Sequence, residues 1–171
     1  MTIIGGIVAL GWIKQPQQSD RLRRLSGVAL FSTLSPRELK IIDGMLHDRH
    51  YLANEVIFDE GEEGQALYIL LSGTIHICRT REQDNAIATD VIAELATGNF
   101  FGDVALLDNS PRSAQARAAE NCDVAVFFRA DFSSLLETNA VIGYKISLEL
   151  ARLISRRLRD SMADSTRIEA L

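Results

Sequence analysis

Leu67-Tyr68-Ile69-Leu70-Leu71-Ser72-Gly73-Thr74-Ile75-His76-Ile77 reads as two strands joined at a tight turn. Leu67, Ile69 and Leu71, then Ile75 and Ile77, recur at every second residue, the period of a strand with one face against a core, and Ser72-Gly73 interrupts the run. The same period continues outward through Val56 and Phe58 on one side, and through Val91, Ala93 and Leu95, then Val124, Val126 and Phe128 on the other. Gly61 to Gly64, Glu82 to Asn85 and Gly98-Asn99 supply further turns. Many short strands between His50 and Arg129 predict an antiparallel sandwich or jelly-roll. The fold class is therefore mainly β with flanking helices.

Those helices announce themselves by a change of period. Leu22, Leu25, Val28 and Phe31 suit a helical turn or two after a polar break at Gln15 to Ser19. Ser35, Pro36 and Glu38 form a capping box ahead of the apolar stripe Leu39, Ile42, Met45 and Leu46. Asp131 opens another helix, with Phe132, Leu135 and Leu136 apolar and Asn139 at its end. A long stripe follows, Ile142, Ile146, Leu150, Ile154, Leu158 and Met162, reinforced by Leu153. Such a stripe needs a partner, either the chain's own barrel or a second copy. Arg152, Arg156, Arg157 and Arg159 read as a solvated face near the helix C-terminus rather than a nucleic-acid contact.

At 171 residues the chain suits one domain with a sizeable core, and its net charge of −5 offers no general attraction to nucleic acid or acidic membranes. Cys78 and Cys122 are the only cysteines and lie in strand-like runs, which points to packing roles in a reducing cytoplasm. The apolar arm from Ile3 to Ile13 is shorter than the roughly 20 residues that cross a bilayer. It reads as a segment covering an apolar surface, with a membrane-tethered regulator as the competing reading. His47, His50 and His76 have no metal-ligand partners at usable spacing, and Gly61 to Gly64 lacks the oxygen spacing of a calcium loop. No Gly-x-Ser-x-Gly elbow, His-Glu-x-x-His pair, Walker loop or dinucleotide glycine fingerprint occurs, so no enzyme is expected.

The run from Asn99 to Ala118 carries the chemistry. Gly102 permits close approach of backbone to a ligand, and Asp103-Val104-Ala105-Leu106-Leu107 is long enough for a turn or two of helix. Beyond the turn Asp108 to Pro111, Arg112 offers a planar fork suited to phosphate oxygens, while Asp103 can accept from a sugar hydroxyl. In the bland alternative Arg112 pairs with Asp103 or another carboxylate.

Phe101-Gly102-Asp103-Val104-Ala105-Leu106-Leu107 with Pro111-Arg112-Ser113-Ala114 resembles the phosphate-binding cassette of the cyclic nucleotide-binding domain family, which includes bacterial catabolite activators, cAMP-dependent kinase regulatory subunits and cyclic nucleotide-gated channels. Glu55 to Gly64 and Leu67 to Ile75 resemble its first strands and glycine turns, and the likeness runs from about Leu30 to about Asp160. The resemblance implies a double-stranded β-helix, or jelly-roll β-roll, with N-terminal helices and a long C-terminal helix that lids the ligand. It implies a cyclic nucleotide, cAMP ahead of cGMP, and no metal. Arg112 would pair with the cyclic phosphate, the backbone from Gly102 to Ala105 and the Ser113 hydroxyl would complete the cradle, and Phe101, Val104 and Ala114 would finish the site.

Asp103 stands where the family usually has glutamate for the ribose 2′-hydroxyl, and a poorly aligned bond there costs about 1–3 kcal/mol. The expected organisation is an arm and linker over 1–19, a cyclic nucleotide-binding domain over 20–162 and a tail over 163–171. Eleven residues after Asp160 are too few for the helix-turn-helix of catabolite activators. The output would then pass to a homodimer mate through the C-terminal helix or to an unidentified protein partner. The alternative is an interaction or dimerisation module that keeps the fold without the ligand.

Overall fold

The computed structural model describes residues 16–83, 86–108 and 110–168, so the apolar arm over 3–13 lies outside the described residues. Helix α1 (Pro16–Ser26) takes in Pro16 to Ser19, which the sequence reading assigns to the linker. A short 3-10 helix (Ala29–Phe31) leads to α2 (Pro36–Asp43), where the capping box forms as expected: the Ser35 side chain accepts from the Glu38 amide and the Glu38 side chain accepts from the Ser35 amide. Eight strands follow, namely β1 (His47–Tyr51), β2 (Val56–Phe58), β3 (Ala66–Ser72), β4 (Thr74–Gln83), β5 (Ala86–Ala96), β6 (Phe100–Phe101), β7 (Gln115–Ala118) and β8 (Cys122–Phe128). Helices α3 (Arg129–Thr138) and α4 (Ala140–Ile168) complete the described chain.

The strands pair antiparallel into two four-stranded sheets, ordered β1-β8-β3-β6 and β2-β7-β4-β5, the interleaving of a jelly-roll. Between the sheets lies an inner cluster with Phe58, Leu70, Ile75, Phe101, Ala116, Val124 and Val126. On the other face of the first sheet, Leu67, Ile69 and Phe127 meet Leu25, Phe31, Ile42, Leu135, Ile146 and Leu150 from the helices.

Two strands therefore depart from the half-buried alternation read in the sequence. β3 and β8 are sandwiched between roll interior and helices, so both of their faces are buried, and the unbroken Leu67 to Leu71 run is the signature of that position. β1 begins at His47, three residues before the strand region read from His50, and its mostly exposed His-Asp-Arg-His-Tyr sequence carries no apolar alternation to mark it. Val91 is exposed on the edge strand β5 rather than half-buried.

Candidate ligand-binding site

Arg112 is built into the roll from both its backbone and its side chain. Its amide donates to Glu62 O at 2.8 Å and its carbonyl accepts from the Gly61 amide at 2.9 Å, so the Gly61 to Gly64 turn, read as plain, fixes where this residue sits. The guanidinium donates through Nη2 to Ala66 O at 2.9 Å and through Nη1 to Gly102 O at 3.1 Å. Its Cζ lies 4.1 Å from the centre of the Phe58 ring, a stacked arrangement that holds the fork flat. Only 8% of the residue is exposed, and the buried Nε has no hydrogen-bond partner among the described residues. Burial pushes the guanidinium below its ordinary pKa, opposed by Tyr68, Glu62 and Asp103. Arg112 forms no ion pair among the described residues, contrary to the bland expectation. It is a buried cation satisfied by carbonyl dipoles and a ring, a setting that favours an anion.

Strand β6 delivers the second half of the site. Its pairing with β3, Phe101 opposite Tyr68, stacks those two rings at 5.3 Å inside the roll. The chain then turns left-handed at Gly102, φ 69°, and enters a 3-10 helix (Asp103–Leu106), the short turn that the sequence predicts. Asp103 is 7% exposed, and its Oδ2 accepts from Arg157 Nη1 of α4 at 2.7 Å. Arg157 also lies over the Phe100 ring at 5.0 Å. The sequence reading puts Arg157 on a solvated face; the structure brings it to the carboxylate instead. The signal was in its spacing, since a residue seven after Leu150 returns to within about 20° of the same helix face.

A cavity of about 510 Å³ opens between these groups. Phe101, Gly102, Asp103, Val104, Arg112, Ser113 and Ala114 all line it, and Ala105 belongs to the same 3-10 turn. Phe58, Ile77, Ala93 and Leu95 add an apolar wall that the sequence reading does not assign to the site. Ala93 and Leu95 continue the alternation seen in the sequence, and their face of β5 lines the cavity, where Leu95 also packs against the inner cluster. The cavity is thus amphipathic, with a buried cation and a carboxylate at one end and hydrocarbon along the side.

A second cavity of about 500 Å³, between α1 and the rim of β1 and β8, has a different electrical character. Its cations are largely matched: Arg21 pairs with Asp43 and Asp48, Arg24 with Asp20, and His50 with Asp123, whose carboxyl is held below its usual value chiefly by that histidine and by Ser72. In the Arg112 cavity, by contrast, the buried guanidinium has no carboxylate partner among the described residues, and its Nε has no hydrogen-bond acceptor there. Among the described residues no cluster of three or more His, Cys, Asp or Glu could hold a metal ion, and no helix is long and apolar enough to cross a membrane. Cys78 and Cys122 are both buried and unpaired.

The family model described as the cyclic nucleotide-binding domain matches residues 48–139, more than half of the chain. The cyclic AMP receptor protein of Thermus thermophilus is 33% identical over 139 residues, which cover 80% of this chain and 60% of that protein. The crystal structure of the Thermus thermophilus catabolite activator protein superposes with a TM-score of 0.71 at 32% identity, covering 82% of this chain and 63% of that one. The regulatory domain of Toxoplasma gondii PKA, crystallised with cAMP, gives a TM-score of 0.61 at 27% identity over 70% of this chain and 44% of the other. The chain thus spans about 60% of the curated Thermus relative's length.

Proposed function

The chain belongs to the cyclic nucleotide-binding domain family, and from that premise we propose that it is a regulatory sensor that binds a cyclic nucleotide in the Arg112 cavity. One observation carries the reading: Arg112, a residue buried by more than nine-tenths whose guanidinium is braced by two carbonyls and a ring, has an unpartnered Nε and no ion-pair partner among the described residues. A cyclic phosphate supplies the missing charge and acceptors. In this assignment Arg112 takes the phosphate, the backbone from Gly102 to Ala105 and the Ser113 hydroxyl complete its cradle, and Asp103 accepts from the sugar. Phe101, Val104 and Ala114 shape the floor, and the wall of Phe58, Ile77 and Leu95 receives the base.

Cyclic AMP is the ligand of choice over cyclic GMP, because Arg112-Ser113-Ala114 resembles the cassette of bacterial cAMP-binding activators rather than the arginine-threonine pair of some cGMP-preferring members. The role is binding, not catalysis, and the setting is the cytoplasm. Occupancy biases the position of α4 by its differential affinity for the two helix positions. The signal then reaches a second copy through α4 or an unidentified protein partner; the working domain, read from the sequence as 20–162 between an arm over 1–19 and a tail over 163–171, takes in Pro16 to Ser19 with α1 and runs on to Ile168 with α4.

Calorimetric titration with cyclic AMP and cyclic GMP tests this. The wild-type chain should bind saturably, with cyclic AMP the tighter, and Arg112→Ala should lose about 2–5 kcal/mol of binding while remaining folded by circular dichroism. Absence of heat at millimolar ligand would instead favour a ligand-free interaction module.

A further inference from the structure

We propose that Tyr68 is a positioning residue for Arg112, which holds the guanidinium in place from behind the cavity wall and keeps its Nε for the ligand's phosphate; the inference rests on the cyclic nucleotide reading above. Tyr68 stands outside the lining of the cavity, so it acts on a ligand only through its neighbours. Three of those neighbours do line it. The Tyr68 ring stacks on Phe101 at 5.3 Å with 13° between the planes, meets the Phe58 ring at 5.5 Å, and lies 5.6 Å from Arg112 Cζ.

The place is firm because β3 is an interior strand of its sheet. Tyr68 lies opposite Phe101 of β6 on one side and Val126 of β8 on the other, and its side chain packs against the inner cluster between the sheets. Two residues earlier on the same strand, Ala66 supplies the carbonyl that accepts from Arg112 Nη2. One strand thus fixes the guanidinium twice, by an acceptor and by a ring. Burying a cation without a counter-ion is costly, and aromatic rings offset part of that cost where water is excluded. Phe58 and Tyr68 give Arg112 two rings, the Gly102 and Ala66 carbonyls engage Nη1 and Nη2, and Nε is the nitrogen left without an acceptor. Tyr68 and Arg112 also feel one another's charge: burial raises the phenol above its ordinary pKa, and Arg112 opposes that rise. Without the Tyr68 ring, Phe58 and Phe101 lose a shared support, and the guanidinium gains room to rotate away from a phosphate.

The test uses the full chain as wild type, Tyr68→Leu, Tyr68→Met and Tyr68→Phe. In the ligand-free protein, the Arg112 Nε–H resonance is identified by its disappearance in Arg112→Lys. It should be sharp in wild type and Tyr68→Phe, and lost to solvent exchange in the two variants without a ring. Calorimetry should find cyclic AMP bound about tenfold more weakly by Tyr68→Leu and Tyr68→Met, the scale of one desolvated contact between cation and ring, and within about threefold of wild type by Tyr68→Phe. Tyr51→Leu removes a ring that packs against the same inner cluster with no ring contact to Arg112 among the described residues, and it should keep wild-type affinity. A resonance retained in the ringless variants, an unchanged affinity in them, or an equal loss in Tyr51→Leu overturns the inference alone. A wild type that binds neither cyclic AMP nor cyclic GMP overturns the reading beneath it, and the inference with it.

Discussion

At Gly102 the chain turns left-handed, and the hydrogen that stands in place of a Cβ lets Arg112 Nη1 reach the Gly102 carbonyl. A Cβ added there would overlap Nη1 and come within 3.1 Å of Ala66 O, the other carbonyl that holds the guanidinium. Gly102→Ala therefore incurs two penalties, about 1–2 kcal/mol for left-handed backbone and a displacement of the phosphate-binding fork. Urea unfolding should register the first as a modest loss of stability. Calorimetry should register the second as a drop in nucleotide affinity larger than the stability loss, and wild-type affinity in this variant would contradict the role given to Arg112. The cassette residues were legible because they are contiguous and their chemistry is specific. Phe58, Ile77, Ala93 and Leu95 were not, since only the folding of the roll brings β2, β4 and β5 to one cavity. Arg157 was hidden by the ordinary meaning of an arginine cluster, although its heptad spacing from Leu150 pointed inward.

Between elements, one ion pair ties the first helical layer to the last. Lys145 of α4 donates to both carboxylate oxygens of Glu38 at 2.8 Å, and the lysine, with the Ser35 amide, holds the Glu38 carboxyl at about 2 instead of 4.5. The folded-state value is the lower one, so this contribution to stability is full above pH 4.5 and is lost as pH falls towards about 2. Thermal unfolding of wild type and Lys145→Met across that range checks the sign: the wild type should melt higher at neutral pH, and the gap should close below pH 4.5. A gap that persists undiminished at pH 2 would mean that the pair is not its origin. The same elements mark the limits of pattern reading. The capping box of α2 is a local hydrogen-bond arrangement, so four residues suffice to specify it. β1 has no apolar rhythm to read and owes its place to pairing with β8, from His47 opposite Val126 to Tyr51 opposite Cys122. β3 reads as a strand from its composition, but its double burial follows from the helices stacked behind it.

Over the whole molecule, the geometry of α4 decides which apolar residues face inward and which face away. Residues four apart on an α-helix advance about 40° around the axis at each step, so a stripe repeating every four residues winds slowly off any straight contact line. Ile142, Ile146 and Leu150 lie under the roll's cover, whereas Leu158 and Met162 have rotated out and stand 59% and 62% exposed. Of the two partners offered by the sequence, own roll and second copy, the roll takes the proximal half of the helix, and Leu158 and Met162 in the distal half are exposed. Burying two such side chains in each of two copies is worth several kcal/mol at about 25 cal/mol per Å², enough to contribute to association without securing it alone. We expect the chain to sediment as a concentration-dependent dimer, and Leu158→Lys with Met162→Lys to shift it to monomer without lowering the melting temperature extrapolated to low concentration. Because Arg157 lies one residue before Leu158 and pairs with Asp103 in the cavity wall, a bound cyclic nucleotide should orient the exposed stripe and raise the dimerisation constant. Sedimentation with and without saturating cyclic AMP measures that coupling, and identical constants in the two conditions would disconnect the cavity from the helix that this architecture joins to it.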